Sequence, residues 1–562
     1  MKNPPYWKLP AGLRSFLATE WPFLFVFCFF FISLVYWVYL DRTVPIWDSA
    51  DHLLQSYNLK DVLSSPVSFD KKLLALFTCA YRYPPFFCWV HCLFLFSPIP
   101  PVVADHLPRF VFFAVGFISL YKLGRQLFDD AAVGLTAAAI YFSLPLVCVI
   151  AHTRGLIDMP LASMCFLALW LIARWNATPS LANALMAGMA IGLTCLTKQM
   201  GAIYLAPAIF LVLSKRLLER DFGKAMQFSI GLAIAAIMFL AWLVPSLPVI
   251  KENMHVWDTE LALQAGGTKD WFKNLASRIE VTIYCISMPV SAVFALSLFN
   301  FPGQRKLWLP ASTILGLLFL CTLRWCDNEA RYLLPILGYL ALSIASLLVS
   351  MWRTGWPLLR ILDAAFAIYL FIISFAFSFT PYPFALVDLR RSLDNYFNGF
   401  YGNWPGVYAS YPQQGSLAYD WLLDHIQSEQ GEHLPTIMFT VFCRNCEPCS
   451  LLYVARQRGI KLLIKYMYGS NLGAVFTCNP RYIDLNPDCY VTMKNDPECE
   501  IKNFVTDSDR DNYHKLEKYF EESGRFSKVG EYEFAGKESR MVLYRKRDLN
   551  GERKGAPVQP GK

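Results

Sequence analysis

Residues 21–40 read WPFLFVFCFFFISLVYWVYL, twenty positions without a charge. At about 1.5 Å of rise per residue, a helix of that length spans a hydrocarbon core of about 30 Å. Lys2, Lys8 and Arg14 precede the run, and Asp41-Arg42-Thr43 follow it. The run is longer than the apolar segment of a signal peptide, and no small-residue cleavage site follows. It therefore reads as a retained span with a cytoplasmic N-terminus.

Composition extends this reading to the whole chain. The 562 residues are 55% hydrophobic, 16% aromatic and 17% charged, against about 25% charged in an average globular protein. That excludes a disordered or fibrous protein and argues against a soluble enzyme. The formal charge of +8 sits mostly in short loops flanking apolar blocks. Such a distribution orients a membrane protein and is not a nucleic-acid-binding face, so no nucleic-acid partner is expected.

Ten further apolar blocks lie near 102–121, 131–150, 157–174, 181–197, 201–214, 225–247, 281–300, 306–322, 332–351 and 358–380. The block at 84–98 is shorter and bracketed by Pro84-Pro85, Pro98, Pro100 and Pro101. Loop charge decides whether it crosses. If it stays at the external surface, Lys122 and Arg125, Arg174, the Lys215–Lys224 cluster, Arg305 and Lys306, and Arg353 and Arg360 all fall inside. The expected fold is thus an α-helical multi-span membrane protein of about eleven transmembrane helices, with 84–98 an interfacial helix or hairpin. An odd number of spans carries the C-terminus to the external side.

From about 381 the apolar runs shorten and charges become frequent. Strands are expected at 434–442, 460–466, 529–534 and 540–544, the last two antiparallel, with helices at 449–458 and 510–522. The organisation expected is a transmembrane domain at 1–380 with a first external loop at 41–101, an external soluble α/β domain at 381–548, and a disordered tail at 549–562. Cys443, Cys446, Cys449, Cys478, Cys489 and Cys499 fall in the soluble domain. Their even number suits disulfides in an oxidising compartment, and a metal or redox site is the competing reading of Cys443-x-x-Cys446-x-x-Cys449.

Polar groups gather at the external helix ends. The first external loop brings Asp48, Asp51 and His52 within five positions, followed by Arg82. Later tips contribute His152, Arg154 and Asp158, then Lys198, then Asp327, Glu329, Arg331 and Tyr332. Each has a plain alternative: Asp48 or Asp158 as a helix cap, the basic residues snorkelling toward headgroups. Four separated segments bringing acids and bases to one leaflet exceed what a wetted rim requires. Phe86, Phe87, Trp89 and Phe94 either line the mouth of a lipid groove or form an interfacial aromatic belt. The loop at 251–278, with Gly266-Gly267, either covers the site as a lid or rests on the membrane surface.

Trp47-Asp48-x-Ala50-x-His52 after the first span, Tyr83-Pro84-Pro85-Phe86, Arg154-x-x-x-Asp158, Lys198 at the end of the fifth span, and Glu329-Ala330-Arg331-Tyr332-Leu333-Leu334-Pro335 resemble, in that order, the membrane glycosyltransferases of the GT-C fold. Within them the chain is most similar to the group holding protein O-mannosyltransferases and the aminoarabinose transferases. The likeness covers residues 1 to about 380. It implies transfer of a hexosyl or pentosyl group from a polyprenyl-phosphate carrier to a glycolipid, glycan or protein acceptor at the external face, with inversion at the anomeric carbon. It makes Asp48 the catalytic carboxylate, acting as general base on a hydroxyl, and Asp158 a second active-site carboxylate. The basic residues Lys198 and Arg331, with Arg82 and Arg154 behind them, are then donor-phosphate ligands. Many relatives have Asp-Glu where this chain has Asp48-Ser49, so a divalent cation is an open cofactor question, with Asp51 or His52 as substitute ligands or acceptor contacts. The expected compartment is a bacterial inner membrane with a periplasmic C-terminal domain, with an endoplasmic-reticulum membrane as the alternative that obeys the same physics. The alternative function is a transporter or flippase of a sugar-lipid. Such proteins favour ionisable groups near the bilayer midplane and repeated halves, and neither pattern is visible here.

Overall fold

The charge-free run lies on α1 (Ala11–Leu40) in the computed structural model, which describes residues 11–41, 44–45, 48–79, 83–264, 286–322, 330–379, 417–427, 436–439, 448–466, 489–494, 518–533 and 540–547. Phe23, Phe27, Phe30, Leu34 and Trp37 recur every three or four positions and so share one face. Phe30, Leu34 and Trp37 are buried, while Phe25, Ile32 and Tyr39 on the other side are exposed. Phe27 sets its ring edge against Phe117 at 5.5 Å, and Phe113 meets Phe142 edge-on at 4.9 Å. Aromatic pairing thus locks α1 to its neighbours, while the exposed apolar face suits lipid.

The chain divides into two compact units. The first comprises Met1–Asp41, Gln55–Ile250 and Lys269–Pro412. Within it α2 (Asp48–Ser64) contributes its later turns, and the short helices α3 (Phe69–Thr78), α4 (Phe86–Leu95) and α5 (Pro101–Ala104) follow. The bundle continues through α6 (Leu107–Phe128), α7 (Ala131–Ser143), α8 (Pro145–His152), α9 (Asp158–Ala177), α10 (Leu181–Thr197), α11 (Met200–Leu218) and α12 (Phe222–Gln264). It then includes helices at Met288–Ser297, Phe301–Lys306, Trp308–Ala311, Thr313–Thr322, Leu334–Thr354 and Pro357–Phe379.

Helix boundaries follow local chemistry. Asp129 ends α6 in the left-handed conformation, and the Asp130 side chain accepts the Ala132 amide to start α7. Pro145 at the first position of α8 helps break the span, and α7 and α8 meet at a 70° bend. Gly355, at φ 77°, stops the helix that ends at Thr354, and Pro357 opens the next.

Among the described residues, seven helices are long and apolar enough to cross a membrane, or up to eight with the bent α7–α8 pair counted as one. The other three expected blocks hold shorter apolar helices at Leu181–Thr197, Met288–Ser297 and Trp308–Phe319. The sequence-based count of eleven came from apolar character; among the described residues these three helices are shorter, the 17 residues of α10 rising about 25 Å. The block at 84–98 forms α4, also short. The expected loop after Lys251 begins instead as helix, because α12 continues to Gln264.

Close backbone packing joins α10 to α12. A Cβ on Gly188 would lie 2.0 Å from the Gly231 carbonyl oxygen, and one on Gly231 would lie 2.2 Å from that of Ala184. Gly188→Ala is therefore expected to push the helices apart and cost about 1–3 kcal/mol, read as a lower unfolding temperature of the detergent-solubilised protein.

The second unit comprises Arg42–Leu54, Lys251–Thr268 and Gln413–Lys562. Its five-stranded sheet runs β2-β1-β3-β5-β4, with β1 (Thr436–Phe439), β2 (Leu463–Tyr466), β3 (Cys489–Lys494), β4 (Phe526–Glu533) and β5 (Arg540–Lys546). β1 pairs parallel with β2 and β3, while β5 runs antiparallel to β3 and β4. Tyr490, Phe520, Phe526, Val542 and Tyr544 form its buried core. The expected strands at 434–442, 460–466, 529–534 and 540–544 match β1, β2, β4 and β5, and the helix at 449–458 is Pro448–Gln457. β3 and the helix Leu417–Gln427 were not expected. Residues 518–522 are helical, and the earlier part of the helix expected at 510–522 lies outside the described residues, as do Cys443, Cys446, Cys478, Cys499 and the tail at 549–562.

Candidate active site

Asp158 is the first residue of α9, with Ile157 as its N-cap and no side-chain cap bond from that residue. Its carboxylate is 1% exposed and goes to side chains from two other helix junctions. Oδ1 accepts from Lys198 Nζ at 2.8 Å, and Oδ2 lies 3.7 Å from Arg331 Nη1. Lys198 occupies the extended residue between α10 and α11, at φ −156° and ψ 137°. The tight reversal that holds it there needs Gly201, where a Cβ would lie 2.7 Å from the Thr194 carbonyl oxygen. Arg331 lies in the short 3-10 helix Ala330–Leu333. Tyr332 sits beneath both cations, with Lys198 Nζ 4.8 Å and Arg331 Cζ 5.5 Å from its ring centre. Tyr204 donates to the Tyr332 carbonyl and ties this turn to α11.

The electrostatics of this group follow from counting. One carboxylate faces one ammonium and one guanidinium, all three more than nine-tenths buried. In that low-dielectric setting the two cations interact strongly with Asp158 and with any anion placed beside them.

Arg154, four residues before Asp158, has a different partner. Gly155 at φ 76° turns the chain between the two, and Arg154 Nε lies 3.9 Å from Asp41 Oδ2, just past α1. Beside this pair runs a polar group of which sequence reasoning named only His152. Arg109 of α6 donates to the His152 carbonyl and contacts His106 Nδ1. The His152 ring stacks on Trp37 at 5.1 Å and meets Ser33 Oγ at 3.3 Å. Trp37 Nε1 in turn donates to the Ser378 carbonyl at 2.7 Å. Further along, Asp105 Oδ1 accepts from Tyr57 at 2.9 Å and lies 3.0 Å from His91 Nε2, with His91 and Asp105 fully buried. Asp105, His106 and Arg109 were absorbed into an apolar block. Their signal was the presence of three ionisable residues within five positions of an expected span, which in a membrane marks function by default.

Asp48, Asp51 and His52 form the first turn of α2 and the residue after it, at spacings that put them on one helix face. His52 is buried, while Asp48 and Asp51 are half-buried. Arg82, Trp47 and Glu329 lie outside the described residues. Among the described residues no cluster of three His, Cys, Asp or Glu has the arrangement of a metal site.

Residues 83–244 match the family model of dolichyl-phosphate-mannose-protein mannosyltransferases. That segment holds Arg154, Asp158 and Lys198 and excludes Asp48 and Arg331. Among solved structures, the chain is similar to ArnT from Cupriavidus metallidurans bound to undecaprenyl phosphate, with a TM-score of 0.54 and 16% identity, covering 95% of this chain and 100% of that one. ArnT from the same organism in the apo state gives a TM-score of 0.52 at 16% identity, over 94% and 98% of the two chains. No curated protein matches the chain by sequence. Residues 83–244 thus resemble that mannosyltransferase family, and the chain as a whole shares the fold of ArnT.

Proposed function

We propose that this protein transfers a sugar, with inversion, from a polyprenyl-phosphate carrier to a hydroxyl acceptor at the external membrane face. The observation carrying this reading is the buried group of Asp158, Lys198 and Arg331, of which Asp158 and Lys198 lie inside the segment with a family match. When the glycosidic bond breaks, the carrier phosphate gains charge. Fixed cations in a low-dielectric site stabilise that charge in the transition state. ArnT, whose fold the chain shares, is described as bound to undecaprenyl phosphate, and a lipid phosphate is the anion whose chemistry suits the group here.

In this reading Lys198 is a point charge and Arg331 a planar fork for phosphate oxygens. Asp158 holds both in place, and Arg154 supports the carrier's approach. Asp48 takes the acceptor's proton as the new bond forms, with Asp51 and His52 as acceptor contacts. The acceptor is a glycolipid, glycan or protein hydroxyl, and the membrane is the inner membrane of a bacterium, with residues 381–548 in the periplasm.

The test is transfer in lipid nanodiscs. Purified protein given polyprenyl-phosphate-mannose or polyprenyl-phosphate-aminoarabinose, with envelope extract as acceptor, is expected to release polyprenyl phosphate and label the acceptor. Movement of the sugar-lipid across a vesicle membrane without covalent transfer would replace this reading with a flippase. Arg331→Ala is expected to lower kcat/KM for the donor by about 10- to 100-fold, the loss of a charge-assisted phosphate contact. Arg331→Lys should recover only part, because an ammonium cannot grip two oxygens at once.

A further inference from the structure

Asp48, Asp51 and His52 stand on α2, yet the stretch carrying them, Arg42–Leu54, belongs to the compact unit built around the five-stranded sheet. A hydrogen bond within that unit shows how the stretch is held. Ser450 Oγ donates to the Pro45 carbonyl at 2.8 Å, across 405 positions of sequence. Ser450 is 0% exposed and Pro45 is buried. The proline biases Val44 toward extended backbone, and the chain turns helical only at Asp48, three residues after Pro45. The bond therefore grips the lead-in to α2, ahead of the helix's own ladder.

Ser450 sits on a fixed mount. It lies in the first turn of the helix Pro448–Gln457, which connects the parallel strands β1 and β2. Leu451 and Ala455 of that helix are buried. Just past its end, Arg458 pairs with Asp424 Oδ1 at 2.5 Å and with Asp420 Oδ1 at 3.5 Å, both on the helix Leu417–Gln427. A serine in a helix's first turn commonly bonds to backbone of its own turn. Here the hydroxyl donates away from its helix, to a carbonyl that leads into the candidate base.

We propose that Ser450 is a positioning residue for sugar transfer: by holding the Pro45 carbonyl it fixes the first turn of α2, and with it the Asp48 carboxylate, on the sheet unit. This rests on the reading of Asp48 as general base. A base works only within hydrogen-bond reach of the proton it takes, and small displacements cost rate steeply. A tie to the backbone sets the start of the helix without drawing on the carboxylate itself. It also gives the sheet unit a share in the chemistry, through one helix of its parallel crossover.

The test compares full-length Ser450→Ala and Ser450→Thr with the unmodified protein in nanodiscs, with polyprenyl-phosphate-mannose and polyprenyl-phosphate-aminoarabinose as donors. Alanine suits a helix, so the Pro448–Gln457 helix should persist in Ser450→Ala. Amide exchange over residues 49–54 should rise by about 10-fold, the effect of one hydrogen bond lost from a buried acceptor. The kcat should fall by about 10-fold while KM for the donor stays put, since Lys198 and Arg331 are untouched. Ser450→Thr keeps the hydroxyl and should restore most of both. In an Asp48→Asn background, Ser450→Ala should lower the residual kcat no further, as expected of two residues acting through one group. Native kcat in Ser450→Ala, a further loss in the Asp48→Asn background, or a loss of turnover with exchange over 49–54 unchanged would each overturn the positioning role alone. If the unmodified protein transfers sugar from neither donor, the glycosyltransferase reading falls, and this inference with it, before any variant is compared.

Discussion

A Lys198→Ala variant is expected to lose about 3–5 kcal/mol of stability, because the Asp158 carboxylate stays behind, buried and stripped of its 2.8 Å partner. Arg331 at 3.7 Å offsets part of that cost, so the loss should fall toward the low end. Transfer from a polyprenyl-phosphate donor should drop by at least about 100-fold, some 2.7 kcal/mol in the barrier. Two causes are entangled in that single variant: a damaged fold and a missing cation. Combining Lys198→Met with Asp158→Asn separates them, because the ammonium and its carboxylate partner leave together and an asparagine oxygen still faces the Arg331 guanidinium. Thermal unfolding of the double variant in detergent should return close to that of the native protein. Transfer should not return, since the phosphate still lacks its ammonium. If activity recovers along with stability, Lys198 and Asp158 are an internal strut and the donor phosphate is held elsewhere.

This pairing also marks where sequence reading stops. The alternation of spans put Asp158, Lys198 and Arg331 on one side of the membrane, because each sits at a helix end whose sidedness follows from loop charge. That Asp158 would pair with Lys198, forty residues away, while nearby Arg154 turns to Asp41, depends on the left-handed turn at Gly155 and on helix packing. No local pattern encodes it. The apolar blocks were legible because a charge-free run near twenty residues has few uses outside a bilayer. The block at 181–197 coincides with α10, whereas the run of α12 on to Gln264 was not legible, since its last turns carry charged residues.

The missed residues share one physical reason. Asp105, His106 and Arg109 stand at the start of α6, and His91 lies within α4, all embedded among large apolar side chains. Averaged over a span they vanish, although each is buried and bonded. In the sheet unit, β1, β2 and β5 announced themselves by short apolar runs. β3, Cys489–Lys494, reads Cys-Tyr-Val-Thr-Met-Lys and lacks the alternation that betrays a strand.

Asp48→Asn carries the other large expectation: turnover should fall by about 100- to 10,000-fold, the range over which a positioned general base contributes. Asparagine is close in size to aspartate and serves as well at the start of a helix, so α2 should keep its first turn. A purely structural role for Asp48, favouring the helix N-terminus by its charge, is worth about 0.3–1 kcal/mol and would leave transfer nearly intact. The two roles therefore predict rates separated by orders of magnitude for the same small change in stability. Donor affinity supplies the second readout. The amide cannot accept a proton at neutral pH but leaves Lys198 and Arg331 untouched, so polyprenyl-phosphate-sugar should bind with near-native affinity while kcat collapses. An acceptor whose nucleophile is already ionised at the assay pH needs no base and should be spared most of the loss. Near-native kcat in Asp48→Asn with a neutral hydroxyl acceptor would remove this carboxylate from the chemistry and direct the search for the base to Asp51 and His52 on the same face of α2.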